Sequence, residues 1–260
     1  MRFTSEFTQF LNEIKINYNL IGNYFICKNG QIIIKLIYLK EVESESESII
    51  ERKEGEKVMT ILIYEDLWST KNEIIRNRIK AILMPAKSIF ARNCTVKKIS
   101  AEISSAFLNK NHLLGNTYSK FKYGLYHKES LVAVATFSKP RPMVREGVKV
   151  NSYEWVRYAS LGEVRIAGGM GKLLSYFENE INPDEIMTYA DKEWSSGNVY
   201  IKLGFKIIDE TEPISFFVNK NTFERCSFAK GAIKKSVFSI ENGWIKLQNH
   251  GNLKFLRSRI

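Results

Sequence analysis

Residues 164–177 read VRIAGGMGKLLSYF, and the fold turns on how they are understood. Val164–Ala167 is a β-type run. Gly168, Gly169 and Gly171 interrupt it, and Leu173, Leu174 and Phe177 then recur at helical spacing. The pattern is strand, tight turn, amphipathic helix. Glycine is required where the backbone takes positive φ or comes close to a ligand. The first N–H groups of a helix also lack intrahelical partners. The turn therefore suits either a phosphate-bearing ligand or a plain change of chain direction.

Working outward, TVKKISA (95–101) reads as a strand. SAEISSAFLNKNHLLG reads as a helix with Ser100 as N-cap, closed near Gly115. FKYGLYHKESLVAVATFSKP is a β-hairpin turning at Lys128–Ser130, and EWVRYAS and EVRIA are two further strands. After the glycine turn come a helix over Lys172–Glu180, the strand EIMTYAD, a short helix around Ser196–Leu203, and the closing strands GFKIIDE and ISFFV. The fold class is α/β (α+β), with a mixed sheet and flanking helices.

This order resembles the acetyltransferase-type (GNAT) fold, whose turn pattern is Arg/Gln-x-x-Gly-x-Gly/Ala. Gly169-Met170-Gly171 supplies the glycines, but Ile166 stands in the Arg/Gln position and Arg165 comes one residue early. The resemblance implies an acetyl-CoA cradle at Gly168, Gly169 and Gly171, with Lys172 and Ser175 beside it. The broken pattern favours a structural turn over a working cradle.

Four further stretches, FLNKNHLLG (107–115), FKYGLY (121–126), RYAS (157–160) and TYADKEWSSGNVYIKLGF (188–205), resemble the acetyltransferase-like domain of phage and mobile-element proteins, including those associated with homing endonucleases. More distantly they resemble the Mom-type DNA-modification proteins. NGWIKLQNHGNLKF looks like the ending of the nuclease fusions among them. The resemblance implies a pocket of His112, Arg157, Asp191 and Tyr200. His112 or Asp191 would act as a general base or metal ligand, Arg157 would hold a phosphate or carboxylate, and Tyr200 would supply a proton or meet a base edge. Each also has a structural alternative. His112 can cap a helix end, Asp191 can cap the next turn, Tyr200 can be core, and Arg157, facing away from Val156 and Tyr158, can sit in a buried ion pair.

Residues 1–90 form a different unit. Thr4–Ile14 reads as a helix, and NYFICKNG and QIIIKLIYL as strands joined at Asn29-Gly30. EVESESESIIERKEGEK is a solvated acidic segment. KVMTILIY is a buried strand, and EDLWSTKNEIIRNRIKAIL a helix that Pro85 ends. Glu65, Asp66, Trp68 and Lys71 resemble the closing strand and helix of Vsr-like endonucleases, of the PD-(D/E)XK type. That resemblance implies acids on the preceding hairpin to hold a catalytic metal, but Lys35 stands there and Glu41–Glu47 lie in the Ser/Glu run. The expectation is a nuclease module without its site.

The net charge is +11, and residues 91–260 hold 26 of the 39 cations but 16 of the 28 acids. The stretch 218–260 has nine basic and two acidic residues. There, Arg225, Lys230, Lys234, Lys235, Lys246, Lys254, Arg257 and Arg259 are interleaved with aromatics such as Phe216, Phe217, Phe223 and Trp244, a mixture suited to nucleic acid. Cys27, Cys94 and Cys226 are scattered and form no disulfide or zinc pattern. Apolar runs reach about five residues, against the roughly 20 that span a bilayer, and MRFTSEFTQFLNEIK lacks a signal-peptide core.

The expectation is a cytoplasmic (host-cell, if phage-encoded) DNA-binding protein, with a protein partner in a phage complex as a further option. It would divide into a nuclease-like module (1–90), a GNAT-like domain (91–217) and a basic appendage (218–260). A Mom-like adenine modifier and a CoA-dependent acyltransferase are the alternatives. Binding needs no cofactor, whereas catalysis would call for acetyl-CoA or a metal ion.

Overall fold

The computed structural model describes residues 2–40, 58–84, 87–162, 164–227 and 242–258. The chain forms two compact units that interleave in sequence. The first comprises residues 1–75, 190–196 and 210–253, and the second 76–189, 197–209 and 254–260. The division expected from the sequence, at 90/91 and 217/218, is contiguous, whereas these units are not. The reason is packing, since Leu39, Leu62 and Tyr64 share one buried cluster with Phe216, Val218, Ile245 and Leu247.

In the first unit, helix α1 (Arg2–Glu13) buries Phe3, Phe7, Phe10 and Leu11. Its sheet runs β1 (Tyr18–Ile21), β2 (Tyr24–Cys27), β3 (Ile32–Ile37) and β4 (Met59–Tyr64) in spatial order. The β2–β3 hairpin turns through Asn29 and Gly30, both at positive φ, as its Asn-Gly pair requires. Strand β4 lies parallel to β3. The expected single helix after it is two, α2 (Glu65–Thr70) and α3 (Asn72–Leu83), broken at Lys71. Trp68 meets the edges and faces of Phe3, Phe7 and Phe10, and burying each such ring contributes about 2–3 kcal/mol. Three later strands, β14 (Ser215–Asn219), β15 (Arg225–Ser227) and β16 (Trp244–Gln248), form a separate antiparallel sheet. Pro85 and the acidic Ser/Glu run (41–57) lie outside the described residues.

The second unit is built on an eight-stranded mixed sheet. Its main path is β13 (Lys206–Glu210), β17 (Asn252–Ser258), β12 (Glu185–Asp191), β10 (Val148–Ser160), β8 (Ser130–Phe137), β7 (Phe121–His127) and β6 (Cys94–Lys98), with β9 (Arg141–Arg145) hydrogen-bonded to β10. The last strand in sequence thus sits between β12 and β13. Helix α4 (Ala101–Asn111) starts at Ser100, whose Oγ accepts the N–H of Ile103 at 3.3 Å. Phe107 and Leu108 of α4 pack on Val134 and Ala159. Helix α5 (Gly169–Ile181) buries Phe177, which stacks on Phe137 at 3.9 Å with the rings parallel to 1°. Strand β11 (Val164–Ala167) leaves the main sheet and pairs in parallel with β5 (Lys87–Phe90). The order strand, helix, hairpin, strands, glycine turn, helix, strand, short helix α6 (Asn198–Lys202), strand is as the sequence pattern implies.

Candidate functional site

In the second unit β10 and β12 are parallel, yet they pair only from Ser152↔Glu185 to Glu154↔Met187. Beyond that point β10 is bulged between Trp155 and Arg157 and keeps only its antiparallel partner β8. A bulge bends a strand, and here the pairing of β10 with β12 ends on the carboxyl side of two parallel strands, the place where ligands enter open α/β sheets. Among the described residues, the β12-side edge of β10 beyond Glu154 has no strand partner. Side chains occupy three successive carbonyls there. Thr188 Oγ1 donates to Trp155 O at 3.1 Å, Arg157 Nη1 to Val156 O at 2.9 Å, and Trp155 Nε1 to Arg157 O at 3.1 Å.

The bulge sorts the β10 side chains onto two faces. Trp155 and Tyr158 lie on the α5 side, with Trp155 stacked on Phe137 and edge-on to Tyr158. Tyr200 of α6 joins them, 6.0 Å from Trp155, 5.8 Å from Phe205 and 5.2 Å from Phe255 between ring centroids. Its hydroxyl bonds Thr188, and burial raises its pKa. Burial likewise pushes the Tyr158 phenol up to about 12. Both phenols keep their protons at neutral pH, in a mostly aromatic setting.

Arg157 lies on the α4 side. Its Nε donates to Gly115 O at 3.3 Å, and burial lowers its pKa. The expected alternative of a buried ion pair is not what holds it, because its hydrogen bonds go to backbone carbonyls. His112 is the C-cap of α4, and its Nδ1 accepts the N–H of Leu114 at 3.1 Å. Burial, then Arg157, then Arg78, push its pKa down to about 3. A histidine so placed is a neutral Nε2–H donor and a poor base.

Asp191 belongs to the first unit. Its Oδ1 accepts the N–H of Glu193 at 2.9 Å and its carbonyl accepts those of Trp194 and Ser195, so it shapes the turn after β12. The structure thus brings His112 and Arg157 together, places Tyr200 with Trp155, Tyr158 and Thr188, and puts Asp191 in other company. Among the described residues no group of three or more His, Cys, Asp or Glu is placed to hold a metal ion.

At the glycine turn, Gly168 takes φ +78° and caps α5, while Gly169 and Gly171 already lie in its first turn. A Cβ on Gly169 would come within 2.7 Å of Ile166 Cγ2, and one on Gly171 within 3.3 Å of Leu203 Cδ2. Backbone angle accounts for Gly168 and packing for Gly169. Lys172 Nζ donates to the carbonyls of Ala91, at 2.9 Å, and Cys94, which fastens α5 to the segment before β6. Ser175 is exposed on the next turn. The first-turn N–H groups of α5 lack intrahelical partners, a chemistry that suits an anionic group.

Of the basic set, Lys230, Lys234, Lys235 and Arg259 lie outside the described residues. Arg225 binds buried Asp66 through two hydrogen bonds of 2.7 and 2.9 Å, and Arg257 binds buried Glu178 at 2.8 Å. Lys246 is exposed and Lys254 half-buried.

Sequence reasoning missed Tyr158, Thr188 and the bulge, because no residue pattern marks where two parallel strands part. It also missed Glu193 in the first unit. This buried carboxylate accepts the Tyr64 hydroxyl at 2.7 Å and the His250 N–H at 3.3 Å. Burial raises its pKa to about 7.

No protein-family model and no curated protein matches the sequence. Solved structures do show likeness. A Bacillus subtilis acetyltransferase in complex with CoA is 16% identical, with 65% of this chain and 99% of that chain covered and a TM-score of 0.40. A GNAT family acetyltransferase from Elizabethkingia anophelis with acetyl-CoA bound is 13% identical, covering 64% and 98%, at 0.38. A histone acetyltransferase and related acetyltransferase from Corynebacterium glutamicum is 13% identical, covering 65% and 98%, at 0.37. These are distant likenesses.

Proposed function

We propose that the second unit is a GNAT-like, acyl-CoA-dependent acyltransferase. The observation that carries this reading is the parting of β10 from β12 at the bulge, directly before a strand–turn–helix whose first N–H groups are available to an anion. An extended arm bearing amides would add to this stretch of β10 as a strand does by displacing the side chains that now bond the carbonyls of Trp155, Val156 and Arg157. A bound acyl thioester would supply the activated acyl group. Trp155 and Tyr158 would line its path and keep water out. Tyr200, with its proton held on Oη, would donate it to the leaving group. The DNA-binding reading draws on the basic tail, where Arg225 and Arg257 already bind Asp66 and Glu178.

Calorimetric titration of the full chain with acetyl-CoA is the test. Saturable binding is expected, and no heat of binding at any concentration would remove the reading. Y200F should then keep donor affinity while turnover falls about a hundredfold. Unchanged turnover would take Tyr200 out of the chemistry.

A further inference from the structure

Strand β5 pairs in parallel with β11, with Ser88 opposite Arg165 and Phe90 opposite Ala167. Side chains alternate across a strand, so these four share one face, while Ile89 and Ile166 share the other. Burial follows that division. Ile89 and Ile166 are half-buried, whereas Ser88, Phe90 and Arg165 are exposed. Phenylalanine belongs among the residues that cores bury most, yet Phe90 is 50% exposed. Arg92 holds its guanidinium carbon 4.9 Å from the centroid of that ring. Ser88 and Ala167, its neighbours on the face, are too small to cover it. Among the described residues neither Arg92 nor Arg165 has a hydrogen bond or an ion pair. The segment is also fixed in place. Lys172 Nζ bonds the carbonyls of Ala91 and Cys94, and a Cβ on Gly168 would lie 3.6 Å from Ala91 Cβ.

We propose that Phe90, Arg92 and Arg165 form a platform for the adenine nucleotide end of the acyl-CoA donor. That the nucleotide belongs to a donor rests on the acyl-transfer reading above; the platform itself calls only for a purine nucleotide. An exposed ring that carries a guanidinium offers a flat, polarisable stack to which a purine adds. Guanidiniums meet phosphate oxygens two at a time, which suits arginine better than lysine. Charge favours the same occupant, since residues 88–94 and 164–172 contain no acid and both guanidiniums are left to an outside anion.

Calorimetric titration of the full chain with ADP tests the platform. Inorganic pyrophosphate, which has the phosphates without the base, is the control at equal ionic strength. Saturable binding of ADP is expected, tighter than that of pyrophosphate. F90A should weaken ADP binding about tenfold and leave pyrophosphate binding unchanged, while F90W keeps wild-type affinity for ADP. R92Q and R165Q should weaken both ligands. Equal affinity for ADP in F90A and wild type would overturn the platform, as would no preference for ADP over pyrophosphate. Should F90A fail to fold, F90L decides, since it keeps the apolar bulk and removes the ring. Acetyl-CoA is titrated into the same samples. Equal acetyl-CoA affinity in wild type and F90A overturns this proposal and leaves the acyl-transfer reading standing. ADP binding that needs Phe90, without any acetyl-CoA binding, overturns the donor assignment together with that reading.

Discussion

Glu193 shows how a residue's surroundings decide its chemistry. It is 6% exposed, accepts hydrogen bonds from Tyr64 and the His250 backbone, and has the acid Asp191 nearby. Arg225 lowers its pKa only as the last of five causes. That arginine is instead bound to Asp66 and stacked over Phe216 at 4.1 Å. With its pKa raised from 4.5 to about 7, Glu193 binds a proton in the folded state that the unfolded chain has released. Its contribution is therefore full below pH 4.5 and lost as pH rises to about 7, by up to roughly 3 kcal/mol. E193Q should melt progressively higher than wild type as pH goes from 5 to 8. A constant difference across that range would mean the carboxyl is already ionised at pH 5. The sequence offered no sign of this residue, because EWSSG has neither helical nor strand periodicity. Its burial comes from Tyr64 on a strand 129 positions away.

At the scale of elements, most of the fold was legible where hydrophobic period and turn chemistry agreed. The 24–37 hairpin, the Ser100-capped helix and Glu185–Asp191 are of this kind. Strand β1 was missed because all four of its residues are at least partly exposed, and β9 because it carries Pro142 and no buried residue. The glycine turn forms strand, turn and helix as the sequence implies, with Gly168 at positive φ and Gly169 too close to Ile166 for a Cβ. Gly197 argues the same case more sharply. It caps α6 at φ +71°, and a Cβ there would lie 2.1 Å from Phe255 Cζ. G197A should therefore cost about 2–4 kcal/mol in denaturant unfolding, from overpacking and positive φ together. Adding F255L should recover part of that loss. A neutral G197A would show that the ring has room to move.

For the whole molecule, the consequence is that the two units answer pH in opposite senses. His112, in the second unit, has its pKa lowered from 6.5 to about 3. Between those values the unfolded chain holds a proton that the folded state refuses. Stability from this residue is thus present above pH 6.5 and drains away below it, at about 1.4 kcal/mol per pH unit. Glu193, in the first unit, runs the other way between pH 4.5 and 7. Sequence could not foresee this, since the units interleave, and a chain cut at 90/91 separates β14–β16 from the first-unit residues they belong with. Hydrogen exchange, corrected for intrinsic rates and read separately on β3 and β8, tests it. Lowering the pH from 6.5 to 5 should weaken protection in β8 while strengthening it in β3. H112Q should remove the first change alone, and E193Q the second. Unchanged protection in both strands would mean that the chain unfolds as one cooperative body, in which the two titrations largely cancel.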